Sequence, residues 1–461
     1  MNRTQPPIYD CRALDPQSLC DAFDRLPIPR DVADRALALL ADDLSLAIAV
    51  AESDFGRRLH SALQALYGGS AGIRLASVVE GLPAAESAFF LGSLIHSVEQ
   101  DDTHVPSIVH GGAVLIPAAL LAAVSHRRTG ADLLRALVLG WELLIRLGLH
   151  APGAFQARGF QASAVLGPIA AAIVAGWLQG LKADQLGHAI GIALSFSAGP
   201  LTYLENGAES KKLHLGWAAR SGLVAAQLAA AGITGPSDVV GSSLSVFELF
   251  AASKAVAGDG LLGDLGERWH LREVSFKAWP CCHYLQGFIE AVATLRLEAG
   301  SRPLLSLHLH VPEQVAPLLC LPIDRRNAPG TDIDARFSLP YVVKALMLDG
   351  AIDAGTFEAS ARARINASPW PLRMTWEPWQ ESGFPQCYPA RVDAIVEGGN
   401  TLHAEVRSLR GGPERPFMPQ ELMARFFERT EPRLGKQAAA DLWQSLATLE
   451  TSGSIKLWQT P

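Results

Sequence analysis

The chain has 461 residues, enough at roughly 100–200 residues per domain for two or three domains with sizeable cores. It is 49% hydrophobic and 18% charged, a balance that favours closely packed, alanine-rich helices. With 46 acidic against 39 basic residues the net charge is −7, which argues against nucleic acid as a partner, because gripping a phosphate backbone takes clustered Lys and Arg.

Met1 to Asp10 holds Asp10 and two prolines where a secretory signal places a basic patch and an apolar stretch, so a cytoplasmic location is expected. From Asp34 to Gly232 the pattern is helical. Leu133, Leu134, Leu137, Val138, Trp141, Leu144 and Ile145 recur at helical spacing, and similar stretches cover Val32–Ala51, Ala113–Val124, Leu186–Phe196 and Trp217–Ala231. Gly232 and Pro236 then supply stop signals. The apolar run Ala164–Leu178 falls short of the ~20 residues that cross a bilayer and reads as a buried helix, with no membrane partner expected.

After about Leu271 the pattern changes. Leu305, Leu307, Leu309 and Val311 alternate with Ser306, His308 and His310 as a half-buried strand requires. Val392–Val396 and Leu402–Val406 flank Gly398, Gly399 and Asn400 and predict a hairpin. Helical patterns at Cys282–Leu297 and Leu339–Leu348 lie among these strands, and the tail returns to helix at Glu421–Arg429 and Gln437–Leu449. The expected fold is mainly α: a large all-helical domain over 1–268, a smaller α+β domain over 269–410, and C-terminal helices over 411–461 packing back on the first.

Two motif matches are set aside. Gly258, Gly260 and Gly263 fit GxGxxG but lack the strand before and helix after that dinucleotide binding needs. Gly68, Ser70 and Gly72 fit GxSxG but follow a helical stretch instead of a strand. Six scattered cysteines have neither disulfide nor zinc spacing, so reduced thiols and no metal are expected. His308 and His310 share a strand face where solvent exposure accounts for them.

Chemistry concentrates in three segments. Glu99 to Gly112 crowds Glu99, Asp101, Asp102, Thr103, His104 and His110 ahead of an apolar helix. Free amides there, with Gly111 and Gly112 allowing close approach, would bind an anion; capping of the helix by Asp or Thr is the simpler alternative. Glu209 to Trp217 sets Lys211 and Lys212 at a helix start, where the macrodipole disfavours cations, in a chain with only eight lysines. A bound anion or a neighbouring carboxylate would compensate. Phe276 to Tyr284 brings Lys277, Cys281, Cys282 and His283 together. Cationic and imidazole groups in an acidic protein suit a small polycarboxylate, and His or Lys suits proton removal next to a carboxylate.

These residues resemble the MmgE/PrpD family. The similarity runs from about Val32 to Phe427 and is carried by Asp101-Asp102-Thr103-His104, His110-Gly111-Gly112-Ala113-Val114, Lys211 to Ala219, Lys277 to Cys282, and Asp334 to Tyr341. The resemblance implies a homodimer with a helical domain, an α+β lid and a cleft between them. It implies chemistry without metal or organic cofactor on di- or tricarboxylates, by dehydration, decarboxylation or epimerisation. Carried over by position, His110, His214, Lys277, Asp102 and Tyr341 form the catalytic set. Thr103, His104, Gln161, Lys211, Lys212, Cys282 and His283 contact substrate. Gln161 stands where dehydratases and decarboxylases of the family carry His, and Gln286 where a second His often follows. Glutamine orients a substrate but exchanges no proton near neutrality, so elimination or epimerisation is expected ahead of decarboxylation. A carboxylate-binding member without activity is the alternative from another class.

Overall fold

Helices account for most of the computed structural model, which describes residues 14–459 apart from 68–72, 76–77, 255–260, 385, 454 and 456–457. The GxSxG match at Gly68, Ser70 and Gly72 lies outside the described residues, as do Gly258 and Gly260. The helices that position the site are α1 (Arg30–Val50), α2 (Ala84–His96), α3 (Gly112–Ser125), α4 (Gly130–His150), α5 (Ala162–Gln179), α6 (Ala183–Ser195) and α7 (Ser210–Ala230). α3 and α5 are apolar around their whole circumference and are accordingly enclosed by α2, α4, α6 and α7. α5 is long and apolar enough to cross a membrane, yet nearly all of it is buried among these neighbours.

Small residues let these axes approach. A side chain on Gly216 of α7 would overlap the Phe89 carbonyl of α2, and a Cβ on Gly92 would stand 2.8 Å from the Gly216 Cα. The helices therefore meet backbone to backbone. This fixes the C-terminal end of α2, with His96, against the N-terminal turns of α7, with Lys211.

A second apolar core gathers around a four-stranded sheet made of β3 (Leu304–Pro312), β4 (Arg373–Trp379), β5 (Ala390–Val396) and β6 (Thr401–Val406), in the order β4-β3-β5-β6. β3 runs parallel to β4 and antiparallel to β5. Leu307, Leu309 and Val311 alternate inward with Val392 and Ala394 and pack with Phe288, Val292 and Leu295 of α8 (Gln286–Ala299). The hairpin turn holds Gly398 and Gly399 at φ +95° and +84°, which side chains rarely adopt. β4 escapes prediction: it carries Pro378, lies at the sheet edge, and pairs in parallel with a strand 67 positions earlier in the chain.

Two contacts brace the helical core beside the site. β1 (Thr103–His104) pairs antiparallel with β2 (Val274–Ser275), a two-residue rung too short to read from alternation. α9 (Pro419–Leu434) lies along α1, where Arg425 and Arg429 pair with the buried Asp42 carboxylate at 3.2 and 2.8 Å. Arg425 also donates to the Lys277 carbonyl at 3.0 Å, so the tail supports the site from behind.

Candidate active site

Residues of both cores enclose a cavity of about 690 Å³, and its polar wall contains Glu99, Thr103, His110, Gln161, Lys211, Cys282 and His283. Six of these seven belong to the expected set, drawn from four separate stretches of sequence. Aromatic side chains of Tyr203, Tyr284, Phe337, Phe384 and Tyr388 complete it.

His110 follows the β1 loop. Its backbone N–H donates to Ser163 Oγ at 2.8 Å, and its Nδ1 lies 2.9 Å from the Asp102 carbonyl and 3.0 Å from Thr103 Oγ1. A carbonyl only accepts, so this contact places the proton on Nδ1 and leaves the Nε2 lone pair free for chemistry. Burial and the nearby Lys277 ammonium push the His110 pKa down to about 4, which keeps the ring neutral at pH 7.

Lys211 donates to Glu99 and, at 2.9 Å, to His96 Nε2. His96 in turn gives its Nδ1 proton to Asp101 at 2.7 Å, while the Gln161 amide reaches His96 Nε2 at 3.0 Å. The same Gln161 accepts from His214 Nδ1 through Oε1 at 2.9 Å. One glutamine thus bridges two imidazoles with both ends of its amide. Burial and the Lys211 charge depress His96 to about 3 and His214 to about 4. Burial alone would raise the Asp101 carboxyl, but Lys277 and His96 outweigh it and hold it well below the usual carboxylate range.

His283 is buried at the cavity wall, and neither of its ring nitrogens has a hydrogen-bond partner among the described residues. Burial and Lys277 drive its pKa well below the ordinary histidine value. A neutral, unpaired imidazole in such a place costs desolvation energy of about 1–3 kcal/mol per orphaned group, which a bound ligand offering polar atoms would recover. Cys282 also lines the cavity, with burial raising its thiol pKa, so it is a neutral contact and not a thiolate.

Several expected site residues lie elsewhere. Asp102 is a helix cap: it accepts from Gly112 N–H at 2.7 Å, Gly111 N–H at 3.3 Å and Trp141 Nε1 at 3.0 Å. The amides at the start of α3 are therefore occupied by an internal carboxylate, and the two glycines make room for the Trp141 ring and the Asp43 carboxylate instead of a ligand. His104 is bonded to Ser107 at 2.8 Å and faces Glu273, away from the cavity. Lys212 pairs with Asp332 at 2.8 Å and Glu209 at 3.1 Å, the neighbouring-carboxylate compensation for a lysine at a helix start. Lys277 is wholly buried behind the wall, 3.3 Å from Asp101, and acts through its charge. His214 stands one layer back, behind Gln161. Gln286 pins the Trp279–Cys281 backbone through bonds of 2.9–3.2 Å.

Tyr341 is fully buried in the second core and donates to the Thr356 carbonyl at 2.6 Å. Its position at the start of a helix turns the ring into the core. Tyr341→Phe is expected to leave kcat and KM unchanged and to lower stability by about 1 kcal/mol, read from denaturant unfolding. His96 and the cavity tyrosines were missed. His96 ends an apolar helix where a lone imidazole reads as core, and only its spacing of three from Glu99 hinted at a role.

Acid should unfold this site. Free imidazoles titrate near 6.5, whereas His96, His110 and His214 are held at about 3 to 4. Between those values the unfolded chain takes up protons that the folded chain refuses, so stability falls as pH drops through that window. Denaturant midpoints measured from pH 7 to 4 are expected to decline, and to decline less steeply in His214→Gln.

Two apolar cores with a cavity lined by imidazole and lysine side chains give the architecture, and the sequence comparison adds the family. Residues 20–257 match the MmgE/PrpD N-terminal domain and residues 279–451 the MmgE/PrpD C-terminal domain, so the chain belongs to the MmgE/PrpD family. Cis-aconitate decarboxylase of Homo sapiens is 26% identical over 378 residues, covering 80% of this chain and 77% of the relative. The Mus musculus protein of that name is 26% identical, with 80% and 75% covered, and that of Aspergillus terreus 26% identical, with 70% and 69% covered.

Proposed function

We propose that the protein is a cofactor-independent enzyme that removes a proton from carbon next to a carboxylate of a small di- or tricarboxylic acid, as a lyase by elimination or as an epimerase. The observation that carries this reading is a neutral His110 with a free nitrogen sharing one cavity with the Lys211 ammonium and the unpaired His283. A substrate carboxylate would take over part of the Lys211 contact now made by Glu99. The arriving negative charge would raise the His110 pKa from about 4 toward neutrality. Nε2 then accepts the α-proton while its Nδ1–H stays on the Asp102 carbonyl. Lys211, with Lys277 behind it, stabilises the charge that develops on the substrate carboxylate.

From that intermediate, loss of a β-substituent gives elimination and return of the proton gives epimerisation. Decarboxylation is a second reading, favoured by the names of the relatives; there the carbon–carbon bond breaks, CO2 leaves, and protonated His110 delivers a proton to the carbon. Gln161 in place of a titratable group weighs toward the first reading. The proposed assembly is a cytoplasmic homodimer, checked by light scattering and fractionation. Incubation with 2-methylcitrate, citrate, cis-aconitate and iminodisuccinate in deuterated water separates the outcomes. Deuterium at the α-carbon of recovered acid marks epimerisation, loss of the β-substituent to give an alkene marks elimination, and CO2 release with deuterium on the carbon that lost it marks decarboxylation. Tight binding with none of these would make the protein a carboxylate binder.

A further inference from the structure

The outer face of the four-stranded sheet, opposite the side covered by α8, carries a group of side chains with no part in the cavity. The register places Thr375, His308, Asp393 and His403 in one row across all four strands, and Glu377 beside His310 in the next. His308 Nε2 lies 3.5 Å from Glu377 Oε2, and His310 Nδ1 lies 2.8 Å from Glu377 Oε1. The donor atoms of the three residues all fall within 4.8 Å of one another.

We propose that His308, His310 and Glu377 form a binding site for a divalent first-row transition ion of the zinc type, with solvent completing its shell. Two imidazoles and a carboxylate are an established donor set for zinc. Bonds of 2.0–2.1 Å in a tetrahedral shell put neighbouring donors about 3.3 Å apart, near the separations that these residues already have. Exposed acidic groups paired with histidine are common without a metal; what distinguishes this group is how the ligands are held from behind. A metal-binding imidazole is usually oriented by a hydrogen bond at its other nitrogen. His310 makes that bond by donating from Nε2–H to the Asp393 carboxylate at 2.9 Å, and His308 by donating from Nδ1–H to Thr375 Oγ1 at 2.8 Å. Asp393 is itself fixed by His403 Nδ1 at 2.7 Å, with the Arg391 guanidinium 3.9 Å away. Both rings therefore present the remaining nitrogen toward Glu377.

The ion would tie β3 to β4, the edge strand that joins the sheet through one neighbour alone. Its partially exposed ligands fit a structural clip and not a second active site.

The test uses untagged full-length protein, stripped with chelator and dialysed against zinc chloride near pH 7.5, with bound zinc counted by mass spectrometry and unfolding followed by heat. One zinc per chain and a higher Tm in zinc are expected for the wild type. His310→Ala and Glu377→Gln should lose both, and Asp393→Asn should weaken binding about 10–100-fold. A variant that fails to fold is recognised by circular dichroism, and the other two still decide the matter. The second trio, His104, His270 and Glu273, is the internal control. Zinc that is retained in Glu377→Gln and lost in Glu273→Gln overturns the proposal, as does a wild type that retains none.

Discussion

Replacing His110 with Asn is expected to slow α-proton exchange by about 10²–10⁴-fold while leaving the affinity for the acid within a few-fold. Asparagine keeps a side-chain N–H near the Asp102 carbonyl, so the loop is held as before, and it has no basic nitrogen. Lys211, Gln161 and His283 remain to grip the ligand. The measurement is deuterium exchange at saturating acid beside calorimetric binding. A rate within tenfold of the wild type would move the base to another residue, with His283 next in line. Lys211→Met should do the opposite and weaken binding first, because it removes the cation that lines the cavity and leaves the buried Glu99 carboxylate without its partner.

Gly216→Ala should destabilise the protein by about 3 kcal/mol, the upper end of what overpacking costs. The added methyl would overlap the Phe89 carbonyl and crowd Ser93, both of which belong to α2. Backbone cannot swing aside as the tip of a side chain can, so α2 and α7 must separate. Because His96 and Lys211 sit on these two helices, their 2.9 Å contact should loosen as well. Denaturant unfolding reads the first effect, and a raised KM for the acid reads the second. Unchanged stability would mean that the two axes are free to slide.

The helices were legible because alanine and leucine repeat at 3.6-residue spacing over long stretches, and the β5–β6 hairpin because alternation meets a Gly-Gly-Asn turn. Local signals of this kind act within one element. What escaped prediction depends on residues far apart in the chain. β4 is a strand only because β3 lies beside it, and the β1–β2 rung spans two residues per side. In the cavity, Thr103, His110, Gln161, Lys211, Cys282 and His283 were legible from their motifs. Asp102 was not assigned correctly because an acid before Gly-Gly serves a helix start as well as a substrate. Tyr341 was misplaced because a position in a motif does not reveal which way a ring turns. His96 acquires its role only through Asp101, Gln161 and Lys211, and no spacing rule connects all of these.

The rung between Thr103–His104 and Val274–Ser275 belongs to the helical core, since Val274 and Phe276 pack there. It holds one side of the site in place, with Lys277 two residues beyond Ser275 and Cys282 already packed in the second core. The chain therefore crosses from one core to the other within Lys277–Cys282, between the buried Lys277 and the cavity-lining His283. Pro152, Ala154 and Ala157 line the same cavity as Phe384 and Tyr388. Any shift of one core against the other would carry Cys282 and His283 away from Thr103 and His110, while Lys277 stayed beside Asp101.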